Sequence, residues 1–234
     1  MEFCEGLDLN KFIKEYKNKN EFINEKIIYN IVLEICLGIK EIHKQNLIHR
    51  DLKPENIFID KNHNIKIGDF GISKQLDIND KYAYTAIGTG KYMSPEVVKG
   101  ERHNNKVDIW GFGCIIYELL TLNACFESKS LLGFVNKIIN EKHGNIDCKK
   151  YNPKRQYLID LLLQKEYKER PDIDEVYNFI KKELNDEIKI IKSLTNEEFH
   201  KLKNNDAKIS YTTSKKNIFN LYIYLINSIS NGLC

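Results

Sequence analysis

Between Asn24 and Gln45 the apolar residues Ile28, Ile31, Val32, Ile35, Ile39 and Ile42 recur at steps of three and four, with charged residues between them. On a helical period these side chains form one face about five turns long, which only burial against a second layer can stabilise. A core helix is therefore expected there. The period then shortens to two. Ile57-Phe58-Ile59 and Ile65-Lys66-Ile67 read as short strands, and Asp60-Lys61-Asn62-His63-Asn64 between them is rich in turn formers, so a hairpin is expected. From Lys106 the helical period returns, with helices expected over Val107–Leu120, Ser130–Asn140, Pro153–Gln164 and Asp172–Leu184. The fold class is mainly α with one small β-hairpin. Gly71 to Gly100 has little periodicity, and a loop of that length inside a compact domain is usually functional.

Composition narrows the function classes. The 234 residues are 42% apolar and 29% charged, enough for a buried core, and the net charge of +3 is too small to argue attraction to nucleic acid or membrane. Lysines alternate with acidic residues and form no basic stripe with aromatic stacking positions, so a nucleic-acid partner is not expected. Cysteines at 4, 36, 114, 125, 148 and 234 make no CxxC pair, which suggests neither a disulfide framework nor a zinc cluster and points to a reducing compartment, the cytoplasm or the nucleus. MEFCEGLDLN lacks the basic and apolar regions of a signal peptide, and no apolar run reaches bilayer length, so no membrane partner is expected. Lys203–Lys216 is polar and aperiodic and Ile218–Ile229 is a short apolar patch, so residues 185–234 read as a tail of uncertain order behind a domain at 1–184.

The chemistry-bearing residues flank the hairpin. His49-Arg50-Asp51-Leu52-Lys53-Pro54-Glu55-Asn56 precedes it and Asp69-Phe70-Gly71 follows it, so pairing of the two strands brings Asp51, Lys53, Asn56 and Asp69 to one end. A carboxylate to orient and deprotonate a hydroxyl, a lysine near a phosphate and two hard oxygen ligands for magnesium suit phosphoryl transfer. Each piece alone is weak, since any single Asp is more often a capping or solvated group.

In combination, HRDLxxxN followed thirteen residues after its Asn by DFG is the protein-kinase signature, and it continues through Gly88-Thr89, Ser94-Pro95-Glu96, Asp108-Ile109-Trp110-Gly111 and Arg170. The sequence resembles a eukaryotic protein kinase of the serine/threonine class from its hinge to the end of its large, C-terminal lobe. That resemblance implies that Asp51 is the catalytic base, that Lys53 neighbours the γ-phosphate of ATP, and that Asn56 and Asp69 hold Mg2+. Glu2, Cys4 and Phe58 would border the adenine, with backbone groups at Glu2 and Cys4 contributing. Arg50 would read a phosphorylated activation loop, Thr89 would shape the acceptor pocket, Glu96 would pair with Arg170, and Asp108 would anchor the catalytic loop. The partner implied is a protein with a Ser or Thr acceptor; the oligomeric state is left open.

Several features are similar to the NIMA-related (NEK) group: Met1 to Gly6, Phe58, Gly68, Leu120-Thr121-Leu122 leading to Phe126, and Lys137-Ile138-Ile139. Gly90 departs from that group, which commonly has Pro there, and stress-responsive kinases of translation initiation share Gly68 and Tyr-Met-Ser-Pro-Glu. Thr85 lies where related kinases often carry a regulatory phosphate, which would pair with Arg50; Thr85, Tyr82 and Tyr84 equally read as exposed loop residues. No GxGxxG loop and no VAIK-type lysine occur, so Met1 would lie at the hinge and the N-terminal lobe would be missing. Two explanations compete: a truncated form of an active kinase, with activity several powers of ten down, or a stand-alone C-terminal lobe that acts as a non-catalytic binding or decoy module. The full set of Asp51, Asn56 and Asp69 favours the first.

Overall fold

In a computed structural model, residues 7–61, 64–69 and 89–193 are described. Contacts divide the chain after Ile180, four residues before the boundary expected from sequence, into units of residues 1–180 and 181–234.

The first unit is built around two helices. Helix α2 (Glu25–Lys44) starts at Asn24, whose side chain accepts from the Lys26 amide, and ends with His43 and Lys44 in its last turn, where cations favour the exposed carbonyls. Its expected apolar face is buried, with Ile35 and Ile39 fully enclosed. Helix α4 (Lys106–Thr121) is buried on nearly every side, from Val107 through Tyr117. A helix apolar all round belongs at the centre of its domain, and α4 packs between α2 and α6 (Lys154–Leu162). Helix α5 (Leu131–Asn140) begins at Ser130, whose hydroxyl accepts from the Gly133 amide. Helix α7 (Ile173–Ser193) buries Ile173, Val176 and Ile180, and it runs nine residues past the Leu184 end expected from sequence.

Strands β2 (Ile57–Ile59) and β3 (Ile65–Ile67) pair antiparallel in the register Ile57 with Ile67 and Ile59 with Ile65. The expected two-stranded hairpin is in fact a three-stranded sheet. Strand β1 (Leu7–Asp8) pairs antiparallel with β2, Leu7 opposite Ile59, and leads directly into helix α1 (Leu9–Lys19). Asp8 serves both elements, because its carboxylate accepts from the Lys11 amide at the helix start. On the other edge, Glu34 of α2 accepts from the Ile65 amide at 2.6 Å and fastens β3 to the core helix.

Within the stretch expected as a loop, the described residues form a 3₁₀ turn at Thr89–Tyr92 and a short helix α3 (Pro95–Val98), started by a proline in its first turn. Among the described residues, no helix is long and apolar enough to cross a membrane.

Candidate active site

The loop from α2 to β2 is held from below by one buried carboxylate. Asp108, in the first turn of α4 and 1% exposed, accepts from the His49 amide through Oδ2 and from the Arg50 amide through Oδ1, both at 2.9 Å. His43 Nε2 donates to the same Oδ2 at 2.8 Å. Three donors offset the cost of burying this charge and fix the loop backbone. The approach of α4 depends on Gly111, where a Cβ would lie 3.1 Å from the Leu52 carbonyl oxygen.

His49 ties the loop to the sheet. Its Nδ1 faces the Asp51 amide at 3.3 Å, and an amide can only donate, so Nδ1 accepts and the ring proton sits on Nε2. From Nε2 it reaches the Gly68 carbonyl at 3.0 Å. The Gly68 amide in turn donates to the Asn56 carbonyl at 2.9 Å. Gly68 allows this approach, since a Cβ there would fall 2.8 Å from the Phe58 ring. Asp69, the next residue, is exposed, with φ of +53°. Arg50 is also left-handed, with φ of +68°. They are two of the five left-handed non-glycine residues among the described residues, each at a cost of about 1–2 kcal/mol.

At the rim, Lys53 Nζ lies 2.6 Å from Asp51 Oδ2. The Asn56 amide group donates to the same Oδ2 at 3.0 Å and to the Asp51 carbonyl at 2.8 Å. Both Asn56 donors are thus used, which turns its Oδ1 outward from Asp51. Among the described residues neither Asp51 Oδ1 nor Asn56 Oδ1 receives a hydrogen bond. Asp51, Lys53, Asn56 and the backbone leading to Asp69 therefore lie at the end of the sheet where β2 begins and β3 finishes. Phe58 is half-buried beside Gly68, and the exposed Arg50 side chain has no partner among the described residues. Glu2, Cys4 and Thr85 lie outside the described residues, as does the Thr89 side chain.

Glu96 and Arg170 form the second charged centre. The guanidinium meets the carboxylate at 2.7 and 2.8 Å, and its remaining donors reach the carbonyls of Gln164, Lys106 and Lys165, so all of its N–H groups are used. It also stacks 5.0 Å from the Trp110 ring centroid. Burial pushes the Glu96 carboxyl up, but the hydrogen bond and charge of Arg170 outweigh that and hold it below its usual range.

Sequence reasoning missed His43, a lone histidine at a helix end, and the pair formed by Tyr92 and Glu118. The Tyr92 hydroxyl donates to Glu118 at 2.6 Å, holding the 3₁₀ turn at Thr89–Tyr92 against α4, and burial raises the Glu118 carboxyl above its ordinary value. Each half is twenty-six residues from the other, and no local pattern links them.

A family model described as the protein kinase domain matches residues 1–180. The probable serine/threonine-protein kinase nek2 of Dictyostelium discoideum is 38% identical over 185 residues, covering 77% of this chain and 44% of that protein. Human serine/threonine-protein kinase Nek2 is 34% identical over 181 residues, covering 75% of this chain and 40% of its own length. Human Nek5 is 38% identical over 177 residues, covering 75% of this chain and 25% of its own length. The chain thus spans less than half the length of these curated relatives. Such agreement over three quarters of the chain makes it a member of the protein kinase family, similar to the Nek serine/threonine kinases.

Proposed function

We propose that this chain carries the acceptor-side catalytic face of a protein serine/threonine kinase, on which the γ-phosphate of ATP passes to a Ser or Thr hydroxyl of a protein substrate. The observation that carries this reading is the division of labour on Asp51. Its Oδ2 is occupied by Lys53 and Asn56, and Oδ1 is left to take a hydrogen bond from an incoming hydroxyl. A hydroxyl held there is oriented for attack and gives up its proton to that oxygen. Lys53, fixed against Asp51, brings positive charge to the developing phosphoryl charge.

The donor set also fits Mg2+, a hard cation that takes oxygen ligands. Asn56 Oδ1 and the exposed carboxylate of Asp69 would hold it, and when bound it supplies neutralisation of the ATP phosphates. Phe58 would lie under the adenine, and Arg50, whose guanidinium is unengaged among the described residues, would receive a phosphate carried on the activation segment.

The test is incorporation of labelled phosphate from Mg2+-ATP into Ser/Thr peptides by the full chain and by its Asp51→Asn variant. Loss of a general base is expected to lower the rate about 10²- to 10⁴-fold. Equal incorporation by the two would remove Asp51 from the chemistry. No transfer by either, with ATP still bound, would instead identify a non-catalytic binding module.

A further inference from the structure

Away from the catalytic face, one buried ring joins the segment 141–153, which leads from α5 to α6, to the helices beneath it. His143 has 3% of its side chain exposed and sits with both ring nitrogens against oxygens. Its Nδ1 lies 2.9 Å from the Gly144 carbonyl oxygen, and its Nε2 lies 3.1 Å from Asp160 Oδ1 on α6. The ring packs edge-on against Tyr117 of α4, with centroids 6.1 Å apart. A carbonyl can only accept a hydrogen bond. Asp160 Oδ1 is an acceptor too, because Gln156 Nε2 donates to it at 3.0 Å, and the Ile146 amide, donating to Gln156 Oε1 at 2.8 Å, fixes which way that side chain points. An imidazolium, with a proton on each nitrogen, satisfies both contacts. A neutral ring satisfies one and turns a lone pair toward the other oxygen.

The surroundings oppose that charge. Burial pushes the ring down and the ammonium groups of Lys142 and Lys165 add to this, while the Gly144 carbonyl and Asp160 act in the opposite direction; the net effect holds it below its ordinary value of 6.5. Lys142 also shares the carboxylate, with Nζ 3.6 Å from Asp160 Oδ1. Near neutral pH the ring is therefore uncharged. Its one proton belongs on Nε2, since a hydrogen bond to a carboxylate is stronger than one to a carbonyl. Nδ1 is then bare, facing the Gly144 oxygen. The peptide between Gly144 and Asn145 can turn to relieve this, because a residue without a Cβ tolerates the change in backbone angle. Gly144 is kept small by Tyr117, whose hydroxyl would lie 2.6 Å from a Cβ there.

We propose that His143 and Gly144 form a proton-operated peptide switch in the segment between α5 and α6. With the ring neutral, the Gly144 carbonyl turns away from Nδ1 and the segment is held to α6 by the Nε2 bond to Asp160 alone. Acidification adds one proton from solvent to Nδ1, the Gly144 carbonyl swings back to accept it, and the ring is bonded at both ends. The arrangement in the structure is the charged one. The switch is independent of phosphoryl transfer, since none of its groups belongs to the catalytic face.

The test is an NMR titration of the full chain, labelled with nitrogen-15 in histidine and asparagine, from about pH 8 to about pH 4.5. The neutral His143 ring is expected to carry its proton on Nε2 and to titrate below 6.5. The Asn145 amide, which shares its peptide with the Gly144 carbonyl, should shift with the same midpoint. In Asp160→Asn both midpoints should fall together by about one pH unit, because an opposite charge at hydrogen-bonding distance is removed. His143→Gln should abolish the Asn145 response, whereas a response caused by Glu141 or Asp147, carboxylates of the same segment, would persist. The wild-type and Asp160→Asn titrations decide the matter if His143→Gln does not fold. A neutral ring protonated on Nδ1, an Asn145 amide that stays still while His143 titrates, or a His143 that never charges over this range would overturn the proposal.

Discussion

Two charged pairs in the first unit have nearly the same contact distance and opposite surroundings. Lys53 and Asp51 meet at 2.6 Å with 18% and 41% of their side chains exposed, whereas Arg170 and Glu96 meet at 2.7 Å with 0% and 3% exposed. At the rim one carboxylate oxygen has no donor among the described residues, and Arg50 and Asp69 are left-handed. In the buried frame every donor of the guanidinium is used. The difference teaches that charge alone does not distinguish a proposed working site from a structural one. What distinguishes them is unspent hydrogen-bonding capacity at the surface against full satisfaction inside.

The sharpest way to break the comparison is to remove one partner of the buried pair. Arg170→Ala would take the guanidinium away from the Glu96 carboxylate and from three carbonyls, at an expected cost of about 3–5 kcal/mol, enough to unfold a marginal domain. Urea denaturation checks this. The double variant Glu96→Leu with Arg170→Met should recover much of the loss, because apolar groups of similar size need no partner. If Arg170→Ala cost no more than an exposed pair, the frame would not be structural.

Asp108→Ala comes next. It strands the His49 and Arg50 amides and the His43 ring together, with an expected cost of about 2–3 kcal/mol. Since those amides shape the loop that ends in Asp51, the same variant should also weaken any catalytic function. Hydrogen exchange at His49 and Arg50, compared with exchange in α6, reports whether the damage stays in the loop.

Much of this frame could be read from the amino-acid order, for identifiable reasons. The α2 face was legible because six isoleucine and valine positions repeat over many turns, and β2 and β3 because apolar alternation flanks turn formers. Strand β1 was not, since two residues are too few to display a period, and α1 shows only Leu9 and Ile13 as its fully buried apolar residues. Helix α7 outran its expected end because propensity sets a helix terminus only loosely where no glycine or proline intervenes. Asp51, Lys53, Asn56 and Asp69 announced themselves by spacing within one stretch. His43 and the Tyr92–Glu118 bond did not, because they join α2 and the 3₁₀ turn to α4 through contacts that only the folded chain creates.

A gentler perturbation of the buried pair uses pH. The Glu96 carboxyl is held below the ordinary carboxylate value of 4.5 in the folded protein. Its pairing energy is therefore fully present above about pH 4.5 and drains away as pH falls through the lower folded value. The melting temperature of the wild type should drop on acidification below that point more steeply than that of the Glu96→Leu, Arg170→Met protein, which has no such carboxyl to protonate. Parallel acid limbs in the two proteins would show that other carboxylates dominate.

The smallest effect on stability is expected at the rim, and there the comparison is most exposed to failure. Asp51→Asn keeps the size and one oxygen of the side chain and loosens a pair that is partly solvated, where ion pairing contributes about 0–1 kcal/mol. Its unfolding free energy should stay within about 0.5 kcal/mol of wild type, although the phosphoryl-transfer rate is expected to fall by orders of magnitude. That separation follows from the geometry. Asp51 Oδ1 receives no hydrogen bond from the described residues, so the folded chain loses little when its charge is removed, and an acceptor hydroxyl loses the oxygen that would take its proton. A large destabilisation by Asp51→Asn would mean that the carboxylate is part of the frame after all, and the line drawn between the two pairs would have to be moved.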